Sequence, residues 1–197
     1  MVYSIEEHRH RFAAWAASTS ASASKGHRFS VKEGKDILET VGLSQVFTIE
    51  EILKISDIDM WHQKCCTDVI KKSGKKKFTY GVAAKLVNCY LKARFICITS
   101  YKNKNIRELH PPIDRLLLRR LQEENPEFIN SKFKEELSRA GETTGWKGRM
   151  FPAWSSFNKC QYLMVIKRIK DIFSKEIEGG FWKIEEYWQG HQDRKRS

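Results

Sequence analysis

Segment by segment along this chain, apolar residues recur three and four apart, the signature of helices that each bury one face. Residues 4–23 carry Phe12, Ala13, Trp15, Ala16 and Ala17. A run of small residues follows, Ser18-Thr19-Ser20-Ala21-Ser22-Ala23, which lets a neighbouring helix approach closely; Ser24-Lys25-Gly26 then supplies a stop. Ser30-Val31-Lys32-Glu33 has the spacing of a capping box ahead of Ile37, Leu38 and Val41, and Gly42 ends that segment. Thr48-Ile49-Glu50-Glu51 opens a short helix through Ile55, and Asp57 or Asp59 starts another across Trp61, Cys65 and Val69. Val82, Leu86, Val87, Tyr90 and Leu91 again share one helical face.

Further along, two prolines in His110-Pro111-Pro112-Ile113-Asp114 force an extended approach and then a helix start. Residues 126–139 have thinner apolar spacing and predict a surface helix. Residues 141–148 read as a loop, and a long amphipathic helix is expected from about Ser155 to Ile177. Gly179-Gly180 breaks it, and residues 181–188 form a last short helix before a basic tail. No strand series and no internal repeat emerges, so the expected class is all-α. Residues 1–197 form one unit, with a central helical lobe over 30–125 and a second lobe from 1–29 and 126–197.

Composition narrows the function class. A hydrophobic content of 41% with 12% aromatics supports a folded core. The net charge of +12 points to a polyanionic partner, with nucleic acid ahead of an anionic membrane. No stretch approaches the roughly 20 apolar residues of a membrane span, and the polar N-terminus does not read as a signal peptide. Five cysteines without a framework spacing suit free thiols in a reducing compartment, and Cys65-Cys66 beside His62 lacks the second ligand pair of a zinc site. The expectation is a cytoplasmic monomer with no metal, no other cofactor and no membrane partner.

Two phrases carry the candidate chemistry. In Thr79-Tyr80-Gly81-Val82-Ala83-Ala84-Lys85, a lysine follows a glycine turn in the first turns of a helix. In Pro111-Pro112-Ile113-Asp114, a carboxylate stands at the mouth of a second helix. There the N–H groups and partial positive charge of the helix start favour the ionised form. An anionic Asp114 can stabilise an oxocarbenium-like sugar, and a desolvated Lys85 can attack its C1′ carbon.

Over residues 78–122 these phrases resemble the helix–hairpin–helix DNA glycosylase superfamily, and most closely its 8-oxoguanine branch. Gly81 to Lys85 look like that family's hairpin and lysine, Cys89 falls where the branch has a cysteine, and Pro112-Ile113-Asp114 resembles its helix start. Tyr80 and Ala83 stand where the family has a proline and a second glycine.

The resemblance implies a compact helical glycosylase-like fold with a degenerate helix–hairpin–helix and a cleft between two helical lobes. It implies excision of a damaged or modified base by Asp114, with an abasic-site lyase activity if Lys85 is the nucleophile. Main-chain N–H groups around Tyr80, Gly81, Val82 and Ala83 would hold a DNA phosphate, and Lys75, Lys76 and Lys77 would add counterion-release affinity. Cys89, His110, Trp146, Phe151, Trp154 and Trp182 are candidate walls for the extruded base. A non-catalytic DNA-binding helical module is the alternative, and a basic protein with no nucleic-acid role a third.

Overall fold

A computed structural model describes residues 3–22, 28–74, 77–97, 103–141 and 153–188. Among them there are nine α-helices and no strand. Helix α1 (Ile5–Ser22) packs along α5 (Tyr80–Leu91) and α2 (Val31–Thr40). Its small residues Ala13, Ala14, Ala17, Ser18 and Ala21 are all buried. The α1–α2 contact is so close that a Cβ on Gly34 would lie 2.1 Å from Ser18 Oγ, which explains both the small-residue run and the glycine facing it.

The capping signals act as expected. Ser30 caps α2, with the Glu33 carboxylate accepting from the Ser30 N–H at 2.7 Å, and the Thr48 N–H reaches Glu51 at the start of α3 (Ile49–Leu53). Of the two aspartates considered for α4 (Ile58–Lys72), Asp57 is the cap, accepting from the Met60 N–H at 2.8 Å.

Helix α5 is the axle of the fold. Eleven of its twelve residues are buried, from Tyr80 through Leu91. It runs directly into a π-helical turn, Lys92–Ile96, and α6 (Lys104–Arg107) follows beyond. Helix α7 (Arg115–Glu124) starts at Asp114, as the double proline predicts.

Two stretches differ from expectation. Residues 126–139 divide into a 3-10 turn, Pro126–Ile129, and helix α8 (Ser131–Arg139), because Asn130 caps a new helix by accepting from the Phe133 N–H. This stretch is not merely surface, since Phe128, Ile129, Phe133 and Leu137 enter the core. The long helix expected over 155–177 is a 3-10 turn, Trp154–Ser156, followed by α9 (Lys159–Ile172). Asn158 restarts the chain with its own capping box. The last element, Phe181–Tyr187, is a 3-10 segment with Phe181 and Ile184 buried.

One hydrophobic cluster runs from Ala13 to Ile184 through both expected lobes. Among the described residues no helix is long and apolar enough to cross a membrane.

Candidate active site

Lys85 and Asp114, 29 positions apart, meet in space: Lys85 Nζ lies 3.0 Å from Asp114 Oδ2. The lysine side chain is 8% exposed and the aspartate 20%, so the pair sits at the edge of the core and not out in solvent. Each residue is placed by its own helix. Thr79 caps α5, accepting from the Val82 N–H at 3.2 Å, and Lys85 follows on the second turn. Asp114 caps α7 with its other oxygen, Oδ1, which accepts from the Leu117 N–H at 2.9 Å.

Two tryptophans border the pair. Lys85 Nζ lies 5.5 Å from the centroid of the Trp154 ring, within cation–π range. The indole N–H of Trp188 donates to Asp114 Oδ2 at 3.0 Å, and that ring is 41% exposed. Burial pushes the Asp114 carboxyl upward. The Lys85 charge, the Leu117 N–H and the Trp188 indole outweigh it and hold the carboxyl below its ordinary value, so Asp114 is anionic at neutral pH.

A buried polar network fixes the chain that delivers Asp114. Asn88, one turn beyond Lys85 on α5, donates to the Pro111 carbonyl at 2.9 Å and to Tyr162 Oη at 3.0 Å, and accepts from His62 at 2.6 Å. Because the Asn88 amide nitrogen can only donate, the single hydrogen of Tyr162 is free for His110 Nδ1 at 3.0 Å. His110 Nε2–H then faces Asp59 Oδ1 at 2.8 Å, which assigns its tautomer. Burial lowers both imidazoles, His62 to about 3, so both are neutral. The His110 hydrogen bond, and then Lys170, hold Asp59 well below the usual carboxylate range.

The other expected site residues divide clearly. Gly81 is a glycine that a close contact requires: a Cβ there would lie 1.9 Å from the Trp154 carbonyl. The Gly81 N–H donates to the Phe157 carbonyl at 3.0 Å, the Val82 N–H to Thr79 Oγ1, and the Ala83 N–H to the Thr79 carbonyl at 3.1 Å. Tyr80, Gly81, Val82 and Ala83 are all buried. The N–H groups of Gly81, Val82 and Ala83, expected to hold a phosphate, are therefore engaged inside the protein, the first by the Phe157 carbonyl and the other two by the Thr79 cap.

Lys77 is exposed, next to the described end of that segment, while Lys75 and Lys76 lie outside the described residues. Trp146 and Phe151 also lie outside them. His110 is not a pocket wall: it is 2% exposed, with both ring nitrogens engaged. Cys89 packs against the core, and burial raises its thiol.

Trp182 does line a cavity, of about 560 Å³, together with Lys92, Ile96, Cys97 and Glu185. Glu185 is paired with Lys92, and burial raises its carboxyl, while the charges of Lys85 and Asp114 both reach it. From the sequence, Trp182, Glu185, Tyr187 and Trp188 could either close the cleft or only seal the core. Their only signal was the aromatic and acidic spacing of Trp182, Glu185 and Trp188, which fits a core-sealing turn equally well. Among the described residues no group of His, Cys, Asp or Glu could hold a metal ion.

Compared with protein-family models, curated proteins and solved structures, the chain has no match in any of the three. The site is therefore read from its own geometry.

Proposed function

We propose that this protein is a DNA glycosylase that extrudes a damaged or modified base and cleaves its N-glycosidic bond, with a helical, degenerate helix–hairpin–helix architecture around a cleft. The observation that supports this most is the Lys85–Asp114 pair, 3.0 Å apart at the core edge and assembled from two helix starts. In the reaction the C1′–N bond breaks with its electron pair leaving on the base, and the sugar acquires cationic character. An anionic carboxylate fixed by three hydrogen-bond donors stabilises that charge without reorganising. Water then adds to C1′, and the proton it loses passes by way of Asp114 to the base anion. In a lyase branch, the Lys85 ammonium gives one proton to the departing base, and its freed Nζ lone pair bonds to C1′ in place of water on the way to a Schiff base. The net charge of +12 supplies the general attraction to DNA. With the Gly81–Ala83 N–H groups spent internally, phosphate contacts fall to side chains such as Lys77.

The test is incubation with duplexes carrying different modified bases, scoring abasic sites. Asp114→Asn should abolish base release while folding and DNA binding persist, and full activity in that variant would sink the assignment. Borohydride trapping examines Lys85 separately, and an adduct that survives Lys85→Ala removes its role as nucleophile.

The internal use of those same N–H groups favours a second reading, a DNA-binding helical module without chemistry, in which the pair is structural. Salt-dependent duplex binding with no base release from any substrate would select it.

A further inference from the structure

Asp114 has two oxygens and three donors. Oδ1 belongs to the cap of α7, through the Leu117 N–H. Oδ2 receives both Lys85 Nζ and the Trp188 indole N–H, each at 3.0 Å. The lysine supplies charge but little direction, since an ammonium on a four-carbon stem offers three rotatable donors. The carboxylate torsion of an aspartate is itself soft. The indole is different: it is rigid, offers a single N–H, and comes from a separate part of the chain.

That part of the chain is well anchored. Phe181 and Ile184 sit in the core, and Glu185 grips Lys92 on the π-helical turn that extends α5. The backbone leading to Trp188 is thereby tied to the helix that carries Lys85. An indole 41% exposed can satisfy its N–H with water anywhere on the surface. Here it is directed to the one carboxylate oxygen that faces the lysine.

We infer that Trp188 is a positioning residue: its N–H aims Asp114 Oδ2. The consequence for catalysis rests on the glycosylase reading; the aiming of the carboxylate does not. A carboxylate that stabilises a sugar cation must hold its direction before the charge appears, so the loss of one donor slows the chemical step more than it weakens binding. The charged groups that face Asp114 are Lys85 from α5 and Glu185 from the Phe181–Tyr187 segment, the latter paired with Lys92.

The experiment uses the full chain with carboxyl-labelled aspartate, followed by NMR as a function of pH, with Asp114→Asn to assign the resonance. Trp188→Phe keeps an aromatic ring, smaller than the indole, and removes the N–H. In that variant the Asp114 titration midpoint should move up toward the ordinary carboxylate range. On a cleavable duplex, kcat should fall roughly ten- to hundredfold, the scale of one hydrogen bond to a charged group. KM should stay nearly constant, and the acid limb of the pH profile should move with the Asp114 midpoint.

An unchanged Asp114 midpoint in folded Trp188→Phe overturns the proposal, whatever happens to the rate. A shifted midpoint in a protein whose wild type releases no base from any substrate upholds Trp188 and removes the glycosylase reading instead. Should the variant fail to fold, the wild type still decides. The Trp188 indole N–H resonance should move in step with Asp114 titration, and a resonance that ignores it overturns the proposal.

Discussion

Replacing Lys85 by Met keeps most of the side-chain volume and removes the countercharge of Asp114. Removing one member of a fully buried pair costs about 3–5 kcal/mol, whereas an exposed pair is worth about 0–1 kcal/mol. Asp114 lies between these limits. Its side chain is 20% exposed, and it keeps the Leu117 and Trp188 donors, so the expected loss is about 2 kcal/mol at neutral pH. With a urea slope of about 1–3 kcal/mol per molar, the unfolding midpoint should fall by about 1 M.

The pH dependence carries the sharper signature. In the wild type the folded Asp114 carboxyl lies below its ordinary value. Its contribution is present above that value and is lost as pH falls through the folded one. Without Lys85, the largest influence left is burial, which raises the carboxyl. With the lysine's lowering influence gone, the carboxyl titrates higher than in the wild type, and the variant should recover stability relative to wild type as acid protonates Asp114. Lys85→Met/Asp114→Asn should recover most of the loss at pH 7, because no charge is left uncompensated and asparagine still caps α7. A single variant within about 0.5 kcal/mol of wild type, or a double variant as unstable as the summed singles, would refute this account of the pair.

Two further outcomes follow from the packing. Gly81→Ala puts a methyl 1.9 Å from the Trp154 carbonyl, so the Trp154–Ser156 turn must move, at the upper end of the about 1–3 kcal/mol typical of overpacking; urea melts read the loss, and wild-type stability would show that the contact is not tight. Acid should destabilise the fold well before the carboxylates protonate: with a folded value of about 3, His62 resists the proton that the unfolded chain accepts below about 6.5, so stability falls by about 2 kcal/mol between pH 6.5 and 5. His10 and His110 act in the same direction and Glu185, raised by burial, opposes weakly, so a flat stability curve over that range, measured by urea titration, would contradict the buried neutral imidazoles.

The parts of the fold that were legible in sequence are those governed by neighbours a few residues away. Ser30, Asp57 and Asp114 announce helix starts because a short polar side chain meets an N–H three positions on, and Thr48 does so through its own N–H and Glu51. The Lys85–Asp114 encounter was legible only through resemblance, since nothing local brings together residues 29 apart. The environment of Gly81 was not legible for a related reason: a glycine that lets a phosphate approach and one that lets a carbonyl approach look the same in sequence. Here Trp154 is the neighbour. His110 was taken for a pocket wall because a histidine near a carboxylate suggests chemistry, and its partners Asp59 and Tyr162 come from distant helices. The helix expected over 155–177 ran too far because its apolar rhythm continues while the Asn158 cap interrupts the backbone.

Helix α5 and the extended run into Asp114 are joined at two points, Asn88 to Pro111 and Lys85 to Asp114, each three residues from the other on both chains. They act as the two pins of a connector running in opposite senses. Once both are seated, the separation of the reacting groups is set by a single rigid helix, with about 1.5 Å of rise per residue, and no longer by the chain that links its halves. Doubling a flexible connection costs only about 0.6 kcal/mol in closure entropy. The intervening segment can therefore lengthen, shorten or acquire new contacts over generations while the distance between amine and carboxylate stays fixed.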